Sequence, residues 1–118
     1  MKIKTADLIG PTLDWAVAKC EGLEHYFDDG VVCLKGQPFD DNAHYYLPSQ
    51  NWSQGGPIIE REWINVVKAH DGSCWQAANE RWMLDDNPIT GPTPLIAAMR
   101  CYCASKLGDE VDVPEELK

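Results

Sequence analysis

The chain is short of positive charge. It holds 10 Lys plus Arg against 19 Asp plus Glu, a formal charge of −9 over 118 residues. Proteins that grip duplex DNA or RNA neutralise phosphates with a basic face. The balance therefore excludes duplex nucleic acid as the main partner. Long apolar runs are missing too, and none approaches the roughly 20 residues that span a bilayer. No membrane contact is expected. Residues 1–10 carry Lys2, Lys4 and Asp7, without the apolar stretch and cleavage site of a secretory leader. The expected location is the cytoplasm.

The five cysteines, Cys20, Cys33, Cys74, Cys101 and Cys103, show no CxxC spacing. In a reducing compartment they read as free thiols, and their odd number argues against a disulfide framework or a zinc ribbon. There is no HExxH motif, and His25, His44 and His70 are scattered. No metal site is expected and nothing asks for a cofactor. Cys101 and Cys103 sit two apart on a helical stretch, so they point away from each other and cannot chelate together. Ser49, Ser53 and Cys74 lack an evident base, so no catalytic residue is assigned.

What is present is ordinary for a globular domain: 44% apolar and 25% charged residues. Five Trp in so short a chain are not ordinary. Pro11 to Glu21 reads as a helix, with Pro at its start and Gly22 as its left-handed cap. Leu13, Ala16, Val17 and Cys20 form its buried stripe, which leaves Trp15 and Lys19 on the opposite face. Val31 to Leu34 reads as a strand, paired in a hairpin with His25–Phe27. Gln37 to Ser53 is a long aromatic loop, of the length usually kept for function. A short helical turn at Ile58–Arg61 leads to a strand at Glu62–Lys68. The Asp-Gly turn at 70–73 then pairs it with Cys74–Ala78, and Trp82–Leu84 offers a further short strand. Thr93 and Pro94 open a helix to Leu107, apolar nearly all round and closed by Gly108. Residues 109–118 hold five acids and one Lys and read as an extended acidic tail.

The expected architecture is α+β: one domain over residues 1–108, with a small antiparallel sheet packed against two main helices. A two-faced first helix and an all-round apolar last helix ask for more cover than one small sheet supplies. A homo-oligomer is therefore expected.

Two constellations suit an anionic ligand. In Trp52-Ser53-Gln54-Gly55-Gly56-Pro57 the paired glycines could turn backbone N–H groups outward as a nest, beside a stacking ring and two polar side chains. Arg61 follows one turn later. A tight turn with a core Trp is the plainer reading, and no Walker loop is present. The second is the start of the last helix, where Thr93 and the N–H groups of Leu95 and Ile96 face any anion that Gly91 lets close. Simple capping is the plainer reading there. Arg100, inside an apolar helix, needs a carboxylate or a bound anion. Arg81 lies outside these groups. Trp63, Trp75 and Trp82 read as core, whereas Trp15 and Trp52 need another explanation.

Three stretches resemble a known family. They are Asp14-Trp15-Ala16-Val17-Ala18-Lys19, then Pro48 to Arg61 around Trp52-Ser53-Gln54-Gly55-Gly56-Pro57, then Gly91 to Tyr102 running on to Val111. Each is similar to a motif of the NinX-like proteins of lambdoid phages and prophages. The resemblance implies a phage origin and expression in a bacterial cytoplasm, and it carries no activity with it.

Three functions are open to such a chain. The first is a phage accessory protein binding, and sequestering, a small anionic nucleotide-like ligand such as a host defence signal. Its residues would be Trp15, Trp52, Ser53, Gln54, Gly55, Gly56, Arg61, Thr93 and Arg100. The second is an acidic module that contacts a host protein. The third, ranked last, is a nucleotide-processing enzyme.

Overall fold

A computed structural model describes residues 1–36, 45–79 and 89–117. Among them are three α-helices and seven short strands, an α+β arrangement as expected. The strands are β1 (Lys2–Lys4), β2 (His25–Asp28), β3 (Val31–Leu34), β4 (Asn65–Lys68), β5 (Trp75–Ala78), β6 (Ile89–Gly91) and β7 (Glu110–Asp112). The helices are α1 (Pro11–Glu21), α2 (Trp52–Arg61) and α3 (Pro94–Leu107). The strands form three separate antiparallel sheets, β1–β7, β2–β3 and β4–β5–β6.

The centre is α3. Thr93 caps its start, its Oγ1 accepting the Ile96 N–H at 3.1 Å, and Pro94 occupies the first turn. Ala97, Ala98, Met99, Cys101 and Cys103 are fully buried. Around α3 pack α1, α2, the three-stranded sheet and β7. The chain thus covers this helix by itself. The same holds for α1, where Leu13 to Ala18 are all buried. Both helices thus bury most of their apolar surface within the chain.

Both expected hairpins form. Asp29 and Gly30 have φ of 55° and 81°, the two left-handed residues of a tight turn that matches strand twist. The β4–β5 turn is closed by Asp71, whose carboxylate accepts the Ser73 N–H and hydroxyl at 2.9 and 2.6 Å. Residues 37–44 of the long loop and the strand expected at Trp82–Leu84 lie outside the described residues.

Two expectations are corrected. The short turn at Ile58–Arg61 is the end of a full helix that begins at Trp52. Two glycines and an internal Pro57 oppose helix locally, but Asn51 caps it, accepting the Ser53 N–H at 2.9 Å, and packing on α3 holds it. The acidic tail is likewise not a loose extension. Its β7 pairs with β1 in the register Lys2↔Asp112, Ile3↔Val111, Lys4↔Glu110, and Val111, Val113 and Leu117 are buried.

Candidate functional site

The starts of α2 and α3 meet. A groove of about 270 Å³ runs between them, lined by Trp52, Thr93, Pro94 and Ile96 and by Ser49 and Gln50 from the preceding turn. The two segments singled out in the sequence are therefore neighbours in space.

Sequence explains the approach. A Cβ on Gly55 would stand 2.5 Å from the Pro48 carbonyl oxygen and 2.6 Å from Leu95 Cδ1. Only glycine lets α2 press this close to α3 and to the turn. Gln54 then fastens the turn, its Nε2 donating to the Tyr45 carbonyl at 2.9 Å and its Oε1 accepting the Leu47 N–H at 2.7 Å. Trp52, first residue of α2, is left 55% exposed. Its ring edge lies 3.8 Å from where a Gly56 Cβ would be, so it rests along its own helix.

The other candidates are placed differently. The Gly55–Gly56 pair is helical, not a nest, and Gly55 serves packing. The Ser53 hydroxyl donates to Asn51 Oδ1 at 2.6 Å, and the Gln54 amide is spent on the turn. Gly91 admits no ligand either: a Cβ there would meet the Ala97 nitrogen at 2.7 Å, so the close neighbour is α3 itself. Of the N–H groups offered at the start of α3, that of Ile96 is held by Thr93.

Arg61 sits at the far end of α2, about 13 Å along the axis from Trp52 at 1.5 Å per residue. It grips Glu21 through both terminal nitrogens, at 3.0 and 2.5 Å, and Glu62 through Nε at 2.8 Å. The buried Tyr102 hydroxyl donates a short hydrogen bond to the same Glu21. This cluster ties the three helices together. Burial alone would raise the Glu21 carboxyl, but the hydrogen bonds from Arg61 and Tyr102 hold it below its usual value.

Arg100, partly buried on α3, bonds two backbone carbonyls. Its Nε donates to the Leu8 carbonyl at 2.7 Å and its Nη1 to the Thr90 carbonyl at 2.9 Å. Trp15 is 6% exposed and packs in the core, with Lys19 Nζ 5.3 Å from its ring centroid. It presents no face for stacking. Trp63, assigned to the core from sequence, is instead 76% exposed. Arg81, Trp82 and His44 lie outside the described residues.

One residue that sequence reasoning gave no role is Asp14. It is 1% exposed, and its Oδ1 accepts the Ser49 N–H at 2.9 Å. Its Oδ2 and the buried Ser49 hydroxyl make no hydrogen bond. Burial pushes the carboxyl up to about 6, against the lowering effects of the Ser49 N–H and of the Ser49 hydroxyl beside it. The signal was available: Asp14 stands one turn before Val17 and Ala18, on the buried arc of α1.

No cluster of three or more His, Cys, Asp or Glu among the described residues could hold a metal ion. All five cysteines are free. No described helix is long and apolar enough to cross a membrane. Residues 4–106 match the protein family described as Bacteriophage P22, NinX. No curated protein matches the chain.

Proposed function

The chain belongs to the bacteriophage P22 NinX family, and on that premise we propose a non-enzymatic phage accessory protein that binds a small, flat, anionic ligand of nucleotide-like chemistry. One observation carries the reading. An exposed Trp ring and the N-terminal turn of a 14-residue helix face the same groove. The ring supplies a stacking face worth about 1–3 kcal/mol per base. The helix start supplies the positive end of a dipole, which favours a phosphate or carboxylate. The Thr93 hydroxyl accepts the Ile96 N–H, which leaves its own proton for an anion. The net charge of −9 does not oppose this, because a local field is set by local groups. Sequestration of a host defence signal in the bacterial cytoplasm is the use that fits a phage protein of this kind.

Titration calorimetry against cyclic dinucleotides and ADP-ribose-type nucleotides tests the reading. At least one should bind, and Trp52→Ala should weaken it about tenfold or more without changing the melting temperature. No heat from any of them would count decisively against the proposal.

A second reading rests on Trp63. A Trp exposed to 76% is the residue type that anchors protein interfaces, and it fits an acidic module that docks on a host protein. A partner captured from host lysate and lost in Trp63→Ser, but kept in Trp52→Ala, would favour this reading over the first.

A further inference from the structure

Two of the five thiols meet where the last turn of α1 packs against α3. Cys20 is partly exposed and rests on the core from α1. Cys103, on α3, is fully buried. Their neighbours in sequence fix the approach independently. Tyr102, beside Cys103, donates its hydroxyl proton to Glu21, beside Cys20, and Arg61 bridges the same two side chains. Across this crossing the Cys103 thiol donates a hydrogen bond to Cys20. Cys101, two residues before Cys103, points elsewhere, and burial alone pushes its thiol up to about 12.

The pair is chemically unequal. A thiolate, not a thiol, attacks a peroxide. The hydrogen bond from Cys103 holds the Cys20 thiol below its usual value, helped by Lys106 and Lys19 and opposed by burial and Glu21. Cys103 gives that hydrogen bond away and is buried, so its own thiol is pushed well up. It stays protonated, in contact with the sulfur that reacts first. Two hydrogen-bonded sulfurs need only a side-chain adjustment to reach the ~2.0 Å of a disulfide.

We infer that Cys20 and Cys103 form a peroxide-responsive pair that closes into a disulfide between α1 and α3. The Cys20 thiolate attacks an oxygen of hydrogen peroxide. The O–O bond breaks, Cys20 becomes a sulfenic acid and hydroxide leaves. Cys103 gives its proton to that hydroxide, forming water, and its sulfur attacks the Cys20 sulfur. The S–O bond breaks, and the second hydroxide takes from solvent the proton that Cys20 first released. Two thiols are oxidised by two electrons, and one peroxide is reduced to two waters. None of these residues lines the Trp52 groove, so the inference stands apart from ligand binding there.

The test treats the reduced full chain with a slight excess of hydrogen peroxide, then alkylates the remaining thiols and maps the peptides by mass spectrometry without reductant. A Cys20–Cys103 linkage should dominate. The melting temperature should rise, because the bridge closes most of the chain into one loop, and dithiothreitol should reverse both changes. Cys103→Ser should stop at a sulfenic acid on Cys20, trapped by dimedone, and Cys20→Ser should leave Cys103 reduced. A dominant linkage through Cys33, Cys74 or a second chain would overturn the inference. So would a Cys20–Cys103 linkage that forms only in denaturant, or none at all. The mapping needs no variant, so it stands even if a substituted chain fails to fold.

Discussion

Asp14 is 1% exposed and receives a single hydrogen bond from backbone, and burial pushes its carboxyl from 3.8 up to about 6. Between those two values the folded chain holds a proton that the unfolded chain has released. The contribution of Asp14 to stability is therefore fully present below about pH 4 and is lost as pH rises through about 6. The loss is on the order of 3 kcal/mol at 1.36 kcal/mol per pH unit. Asn in its place keeps an acceptor for the Ser49 N–H and brings an N–H₂ toward the idle Ser49 hydroxyl. Asp14→Asn should stabilise the protein at pH 7 and do little at pH 4. Urea unfolding of both forms at the two pH values measures the difference. An equal difference at both would mean that Asp14 does not carry the raised affinity for protons. Glu21 and its partners work in the opposite direction. A carboxyl held below its usual value loses its contribution as pH falls, so Asp14 must be isolated by the variant rather than read from the wild-type curve.

At the scale of elements, α2 decides what could be read in advance. The helices α1 and α3 were legible because their ends carry the expected residues: Pro11 and Gly22, Thr93, Pro94 and Gly108. The β4–β5 hairpin was legible from Asp71-Gly72, and the β2–β3 hairpin from the apolar, β-branched run of Val31 to Leu34. The helix α2 was not, because Gly55, Gly56 and Pro57 oppose helix locally and its support comes from Pro48 and Leu95, the latter 40 residues away in sequence. That misreading moved Trp63. Trp63 looked like the start of an alternating strand. It is instead the left-handed residue that ends α2, with φ of 56°, and the Ile64 N–H closes back on the Ile59 carbonyl at 3.1 Å. Trp15 looked surplus because the cover over α1 is tertiary. The meeting of Trp52 with Thr93 was legible only as two separate segments, since nothing local shows that they touch. The two glycines of α2 separate packing from propensity. Gly55→Ala places a methyl 2.5 Å from a backbone oxygen and should cost about 1–3 kcal/mol. At Gly56 the nearest atom is 3.8 Å away, so Gly56→Ala should stabilise by about 0.5–1 kcal/mol. Thermal melts of the two variants should move in opposite directions. Movement in the same direction would show that α2 is not seated on α3 in this way.

For the whole molecule, the acidic end has to be weighed as structure before it is weighed as a binding surface. Residues 109–118 carry a net charge of −4, and the preceding 108 carry −5. Their removal looks at first like a clean way to test an acidic interaction module. The fold says otherwise. With β7 go the pairing to β1, the carbonyl of Asp109 that accepts the Thr5 N–H at 2.8 Å, and the contact of Met1 with Asp112. Val111, Val113 and Leu117 leave the core as well. At about 1.5–3 kcal/mol for each fully buried side chain, the loss is comparable to the total stability of a small domain. Truncation after Gly108 should therefore give a chain that no longer melts cooperatively, and any partner it loses would be lost to unfolding. Glu110 is exposed, and its side chain lies outside that core. Glu110→Gln should leave the melting temperature nearly unchanged while removing charge from the same face. A truncated chain that melts as sharply as the full one would make the end a true appendage. If it melts without a cooperative transition, charge substitution becomes the only fair test of the acidic face.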